Sequence, residues 1–193
     1  MNSDLQFCFE EKLGCSHAIF ALRQCVEYFV SRGSTVFMAA LDARKAFDRV
    51  NHIKLFHLLY DTGIPVHIIR LLMNWYSKIW IVVKWNGSYS SACSLKSGVR
   101  QGGVLSPILF NIYTNYVISS LSLSDLGCHI NGVYIECLVY ADDIILLSAS
   151  AAHLQMMLDI CYVRGTDKYY DILMLCLIPR SHRCLLLVKH VMC

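Results

Sequence analysis

Val139-Tyr140-Ala141-Asp142-Asp143-Ile144-Ile145-Leu146-Leu147-Ser148 sets two adjacent acids between two apolar runs. The flanking runs, Glu136 to Tyr140 and Ile144 to Leu147, are rich in β-branched and aromatic residues and predict two strands. Ala-Asp-Asp between them predicts a tight hairpin turn. Strands anchored in a core would hold the carboxylates rigidly at its edge. That suits a hard divalent cation such as Mg²⁺, which takes oxygen ligands. Taken alone, the same acids also fit ordinary turn chemistry on an exposed loop.

Another acid has a similar setting. Thr35 to Leu41 is short and apolar throughout, as a buried strand is, and it runs directly into Asp42. If the two strands are neighbours, Asp42, Asp142 and Asp143 converge, and carboxylates that close repel one another unless a cation lies among them. Two Mg²⁺ ions about 4 Å apart would relieve that repulsion and clamp the attacking and leaving oxygens of a phosphoryl transfer. Asp42 equally fits the cap of a following helix. A third stretch, Ser97-Gly98-Val99-Arg100-Gln101-Gly102-Gly103-Val104-Leu105-Ser106-Pro107, is a Gly-rich polar loop. Its glycines let backbone approach a flat or anionic ligand, Arg100 offers a planar fork, and Gln101 offers both donor and acceptor. Ser106-Pro107 predicts an N-cap and first helical residue, a favourable place for an anion. A plain helix-entry loop has the same composition.

Around these stretches the chain alternates helices and strands. Ser16 to Arg32 has helical apolar spacing, ended by Gly33. Asn51 predicts the cap of a helix closing near Gly63, and Pro65 opens another with Ile68, Ile69, Leu72 and Trp75 on its apolar side. Ile79 to Trp85 and Ser88 to Leu95, joined by Asn86-Gly87, predict a hairpin with a type I′ turn. Pro107 to Leu123 predicts a helix, and Asn131-Gly132 a further hairpin whose second strand leads to Tyr140. Ala151 to Tyr162 predicts a helix with Leu154, Met157, Leu158 and Cys161 on one face, and Ile172 to Ile178 and Cys184 to Val188 fit strands. With no repeat or linker, the chain reads as a single unit.

The 193 residues suffice for one sizeable core, and 56% hydrophobic against 16% charged residues excludes a disordered chain. A charged fraction below the usual ~25% fits a piece of a larger protein. The formal net charge of +3 is too small to argue a polyanion partner by itself. The ten cysteines form no Cys-x-x-Cys pair, and no signal peptide follows Met1, so reduced thiols are expected. The uncharged run from Gln101 to Ser124 is interrupted by Pro107, Asn111 and Asn115, which argues for a loop and buried helix over a membrane span.

Three ordered stretches resemble the palm of a reverse transcriptase, specifically that of non-LTR (LINE-type) retrotransposons. Leu41 to Asp48, continuing through Val50-Asn51-His52, is similar to motif A. Gly98 to Thr114 (GVRQGGVLSPILFNIYT) is similar to motif B, and Tyr140-Ala141-Asp142-Asp143 to motif C. The resemblance runs from about Gln6 to Tyr162. It implies an α+β fold: a polymerase palm with a mostly antiparallel sheet and helices on one face. Residues 1–34 would end the fingers region, 35–162 form the palm, and 163–193 a divergent tail with no recognisable thumb.

The resemblance implies Asp42 and Asp142 as metal ligands, Asp143 as the supporting third acid and the Ala43 carbonyl as a lesser ligand, for two Mg²⁺ ions or Mn²⁺ in their place. Phe47, five residues after Asp42, matches an aromatic gate against a ribose 2′-OH. Gln101 and Gly102 match positions bordering the incoming nucleotide and template, Arg100 a phosphate contact, and Tyr140 a residue by the primer end. The implied reaction is attack of a DNA primer 3′-OH on the α-phosphate of a dNTP opposite an RNA template. It would take place inside the cell, nuclear or cytoplasmic, with no membrane partner. Cys8 and Glu10 depart from a family Gln-x-Gly-Phe-Arg pattern. Neither the earlier fingers strands nor an endonuclease region is legible. A catalytically silent remnant with weak or no nucleic-acid binding and a group II intron maturase-type palm remain alternatives, with Asn51-His52 inclining toward the retroelement.

Overall fold

In the computed structural model, which describes Phe7 and residues 13–43, 46–165, 172–175 and 184–186, the chain begins with α1 (Cys15–Ser31) and β1 (Val36–Ala43). A 3-10 turn (Ala46–Arg49), α2 (His52–Asp61) and α3 (Val66–Tyr76) follow. Next come four two-residue strands, β2 (Trp80–Ile81), β3 (Lys84–Trp85), β4 (Ser88–Tyr89) and β5 (Cys93–Ser94), then α4 (Ser106–Ser122). The order ends with β6 (Cys128–Ile130), β7 (Val133–Ile135), β8 (Cys137–Tyr140), β9 (Asp143–Ser148), α5 (Ala151–Gly165), β10 (Ile172–Leu175) and β11 (Cys184–Leu186). The expected ends, most of residues 1–12 and of the tail after Gly165, lie outside the described residues.

The chain forms two compact units, one of Lys45–Tyr113 and one of Asn2–Arg44 with Thr114–Cys193. The sequence shows no linker because one crossing follows the end of β1 and the other falls inside α4.

The second unit is built on β1, which is paired along both edges. β9 runs antiparallel to it from Phe37↔Ser148 to Asp42↔Asp143, and β8 continues the sheet beyond β9. On the other edge β10 pairs antiparallel with Ala40–Ala43 and β11 parallel with Val36–Met38. Alternate side chains go to opposite faces. Ala39, Leu41, Val139, Ile144 and Leu146 pack with Val117, Ile118 and Leu121 of α4 and Leu154, Met157, Leu158 and Cys161 of α5. Val36, Leu138 and Leu147, with Met38 and Ile145, pack with Leu22, Cys25, Val26 and Phe29 of α1. Helices therefore cover both faces, which corrects the one-face expectation. A strand apolar at every position, as β1 is from Val36 to Leu41, needs cover on both sides. Each fully buried leucine here contributes about 1.5–3 kcal/mol.

β6 and β7 form the hairpin expected at Asn131-Gly132, whose φ angles are 50° and 83°. The predicted continuous strand from that turn to Tyr140 is broken at Glu136, which is buried and accepts a hydrogen bond from Ser122 Oγ.

In the first unit, Asn51 caps α2 by accepting from the Lys54 amide at 2.9 Å. The buried stripe of α3 is Ile69, Leu72 and Tyr76. Ile68 and Trp75, expected on that side, are 39% and 54% exposed, because the heptad-like spacing from Ile69 to Tyr76 outcompetes the neighbouring apolar positions. The Asn86-Gly87 turn has φ angles of 44° and 79°, both positive as a type I′ turn requires, but its hairpin is two short ladders, β3–β4 and β2–β5. Among the described residues no helix is long and apolar enough to cross a membrane. Cys15, Cys25, Cys93, Cys128, Cys137 and Cys161 are free thiols.

Candidate active site

The strand ladder brings the acids together. Asp42 lies within β1 directly opposite Asp143, the first residue of β9, and directly opposed residues share a face. It therefore does not cap a helix; Asn51 caps the next one. Asp142 occupies the two-residue turn between Tyr140 and Asp143, which pair with each other. Asp42, Tyr140 and Asp142 are half-buried and Asp143 is exposed. Ala141 starts the turn at φ 56°, a left-handed conformation that costs an alanine about 1–2 kcal/mol. Ala43, the expected lesser ligand, is the last residue of β1.

The electrostatics agree with the register. Partial burial, then the neighbouring Asp142 and Asp42 charges, push the Asp143 carboxyl above its ordinary range. A hard cation would relieve the repulsion that Asp143 meets from these neighbours, and an all-oxygen donor set suits Mg²⁺. Among the described residues no ready-made cage of three or more His, Cys, Asp or Glu side chains is closed around one point. The acids are thus placed by backbone pairing and not by a pre-closed ligand shell.

The remaining expected residues belong to the first unit, where they gather around Asp48. The Gly98 amide donates to the Val50 carbonyl at 2.8 Å and the Val99 amide to the Phe47 carbonyl at 2.7 Å. Ser97 Oγ donates to the Asp48 carbonyl at 3.2 Å, and Gln101 Nε2 donates to Asp48 Oδ1 at 3.2 Å. His52 Nε2 lies 2.8 Å from the Gly98 carbonyl oxygen. The approach demands glycine: at φ 92° a Cβ on residue 98 would meet the Asp48 backbone at 2.8–3.0 Å. Arg100, Gln101 and Gly102 form an exposed tip, with Gly102 at φ 77° in open space. Ser106 Oγ turns back to the Arg100 carbonyl and fastens the far side of the tip.

Phe47 is half-buried and stacks on Phe110, with centroids 4.4 Å apart and planes at 18°. Both readings of Phe47, core ring and gate, keep a physical basis, since one face is packed and the ring is only partly covered. Asp48 was not singled out from the sequence. Its one signal was its place next to Phe47, because a backbone anchor leaves no pattern of residue types.

These features agree with the comparisons. Residues 2–172 match the family model "Reverse transcriptase (RNA-dependent DNA polymerase)". The chain is 35% identical over 123 residues to a Pol polyprotein of a type-1 R2 retrotransposable element of Nasonia vitripennis, covering 62% of this chain and 12% of that protein. It is 30% identical over 135 residues to the RNA-directed DNA polymerase from mobile element jockey of Drosophila funebris, covering 69% and 13%. A solved telomerase from Candida tropicalis, truncated from the C-terminal domain, superposes with a TM-score of 0.60 at 17% identity, covering 86% of this chain and 34% of that one. A telomerase from Candida albicans, solved with a fragment of telomeric RNA, gives 0.57 at 13%, covering 86% and 30%. The chain thus spans only about an eighth of the length of these two retroelement proteins. With the α+β palm fold, the ordered acids and the Gly-rich loop all in agreement, the chain belongs to the reverse transcriptase (RNA-dependent DNA polymerase) family, among relatives from non-LTR retrotransposons.

Proposed function

We propose that this chain carries the nucleotidyl-transfer centre of an RNA-directed DNA polymerase of a LINE-like retroelement, working inside the cell as part of a longer protein. The observation that supports it most is the register Asp42↔Asp143 at a hairpin tip that also holds Asp142. Reverse transcriptases use divalent metal ions. Two Mg²⁺ ions, or Mn²⁺, held by these carboxylates and the Ala43 carbonyl would lower the pKa of the primer 3′-OH and stabilise the departing pyrophosphate. The chain's own part is to keep the acids fixed, so that no reorganisation is needed as charge moves.

Tyr140, opposite Asp143, would pack by the primer end. Arg100, exposed and always charged, would bind a phosphate of the incoming dNTP. Gln101 and Gly102 would border the nucleotide and template, and the half-buried ring of Phe47 would exclude a 2′-OH. Sequence choice would come from base pairing with the RNA template.

The test is primer extension on an RNA template with Mg²⁺ and dNTPs, comparing the chain with its Asp142→Ala variant. Asp142-dependent extension is the expected result. Equal extension by both proteins would sink the assignment of the tip, and no extension by either would favour a silent remnant for this polypeptide.

A further inference from the structure

Asp48 combines a well-held backbone with an open side chain. It lies in the 3-10 turn Ala46–Arg49. Its carbonyl accepts from Ser97 Oγ at 3.2 Å, and the carbonyls of Phe47 and Val50 on either side accept from the Val99 and Gly98 amides at 2.7 and 2.8 Å. None of these bonds uses the Asp48 side chain, which is exposed. Exposed positions of this kind tolerate substitution with little change in stability, so folding alone does not demand a carboxylate there.

The carboxylate instead meets the Gln101 amide, whose Nε2 donates to Asp48 Oδ1 at 3.2 Å. Gln101 is exposed too, and both residues line a cavity of about 740 Å³ together with Arg100. A glutamine at an open loop tip samples many rotamers and is among the side chains that lose most freedom when ordered. Its two ends have nearly the same shape but opposite character: Oε1 only accepts and Nε2 only donates. A carboxylate also only accepts, so Asp48 takes the NH₂ end and never the oxygen. Held that way, Gln101 turns Oε1 away from Asp48 and keeps it, with its second N–H, for another partner.

We propose that Asp48 is a positioning residue that acts through Gln101: its carboxylate fixes the polarity of the amide, so that Oε1 is presented as a ready acceptor to a hydroxyl or N–H group of the incoming nucleotide. The gain is preorganisation. Apparent affinity falls with the fraction of the site in its binding-competent form, and one exposed hydrogen bond shifts that fraction about fivefold. This inference deepens the polymerase reading and rests on its placement of Gln101 beside the nucleotide. Asparagine is the informative replacement at position 48. It has the same shape, but its own amide can take either end of Gln101, so polarity is lost while packing is kept.

The experiment takes two readouts on the full chain. The first is the Gln101 side-chain NH₂ signal in ¹⁵N NMR, without metal or dNTP, assigned by its loss in Gln101→Glu. Its order on the ps–ns timescale should fall in Asp48→Ala. In Asp48→Asn its shift should move as the amide samples both orientations. The second readout is single-nucleotide extension on an RNA template with Mg²⁺. Asp48→Ala should raise the KM for dNTP about fivefold with kcat within about twofold, and Asp48→Asn should lie between it and the wild type. In a Gln101→Ala background, Asp48→Ala should add nothing, since its effect runs through that side chain. The denaturation midpoint should change little in either Asp48 variant, because the backbone bonds of the turn remain. A Gln101 side chain as ordered in Asp48→Ala as in the wild type, an unchanged KM, or a KM effect that adds in full to that of Gln101→Ala would each overturn the proposal. Absence of extension by every protein, wild type included, would fail the polymerase reading, and the NMR signal alone would then decide the link between Asp48 and Gln101.

Discussion

The two units position their candidate residues by different physical means. In the sheet unit, Asp42, Asp142 and Asp143 stand where strand pairing puts them, and a one-residue slip would send every side chain to the wrong face. The core clusters on both faces forbid that slip. In the helical unit, Arg100, Gln101 and Gly102 stand on a loop held by individual hydrogen bonds to residues 47–52. A ladder backed by two hydrophobic faces can carry mutually repelling charges. A loop tied by single bonds, each worth about 1 kcal/mol net, can be displaced by one substitution.

The sharpest test of that contrast is Asp42→Asn. Extension should fall a hundredfold or more, the scale of removing one preorganised electrostatic contact. Stability in EDTA should rise by a few tenths of a kcal/mol, because opposed like charges on paired strands destabilise. Activity and melting temperature moving in opposite directions would mark a functional cluster; a fall in both would make Asp42 a structural residue. Next in size is Gly98→Ala. The positive φ and the contact with the Asp48 backbone should together cost about 2 kcal/mol. Hydrogen exchange should show lost protection over residues 47–52 and 97–103 with the β8–β9 amides unchanged, and loss spread through the sheet would contradict separate means of support.

How much was legible in the sequence follows the same division. The β8–β9 hairpin, β1 running into Asp42, and the α5 stripe of Leu154, Met157, Leu158 and Cys161 were readable because period and burial agree locally. The buried side of α3 is ambiguous in the sequence because eight of the eleven residues in Val66–Tyr76 are apolar or aromatic, so more than one face is on offer. The second covered face of the sheet was missed because α1 and β1 meet through tertiary packing that neither element encodes alone. Asp48 was passed over because much of its role is played by backbone atoms, and backbone atoms are the same in every residue.

A smaller effect is expected at Phe47. Phe47→Val gives up the stack on Phe110, about 0.5–1.5 kcal/mol of stability. If the ring also excludes a 2′-OH, discrimination of dNTP over NTP should fall about tenfold or more, as pocket-size changes do. Single-nucleotide incorporation assays with each substrate separate the two roles. Lost stability with an unchanged substrate ratio would leave Phe47 as a core ring.

The smallest expected change lies at the tip itself. Ala141 holds φ 56°, where glycine carries no Cβ penalty, but glycine also loses more conformational freedom on folding. The balance predicts that Ala141→Gly stabilises the chain by about 0.5–1 kcal/mol in a denaturant titration. Extension should stay near the wild-type rate if the Tyr140–Asp143 pair alone keeps Asp142 in place. A gain in stability with a loss of extension would mean that the alanine's restricted backbone, and not only the ladder, aims Asp142. The strain at residue 141 would then be part of how the sheet unit fixes its acids, and the division between ladder-held and bond-held residues would run through the turn and not between the units.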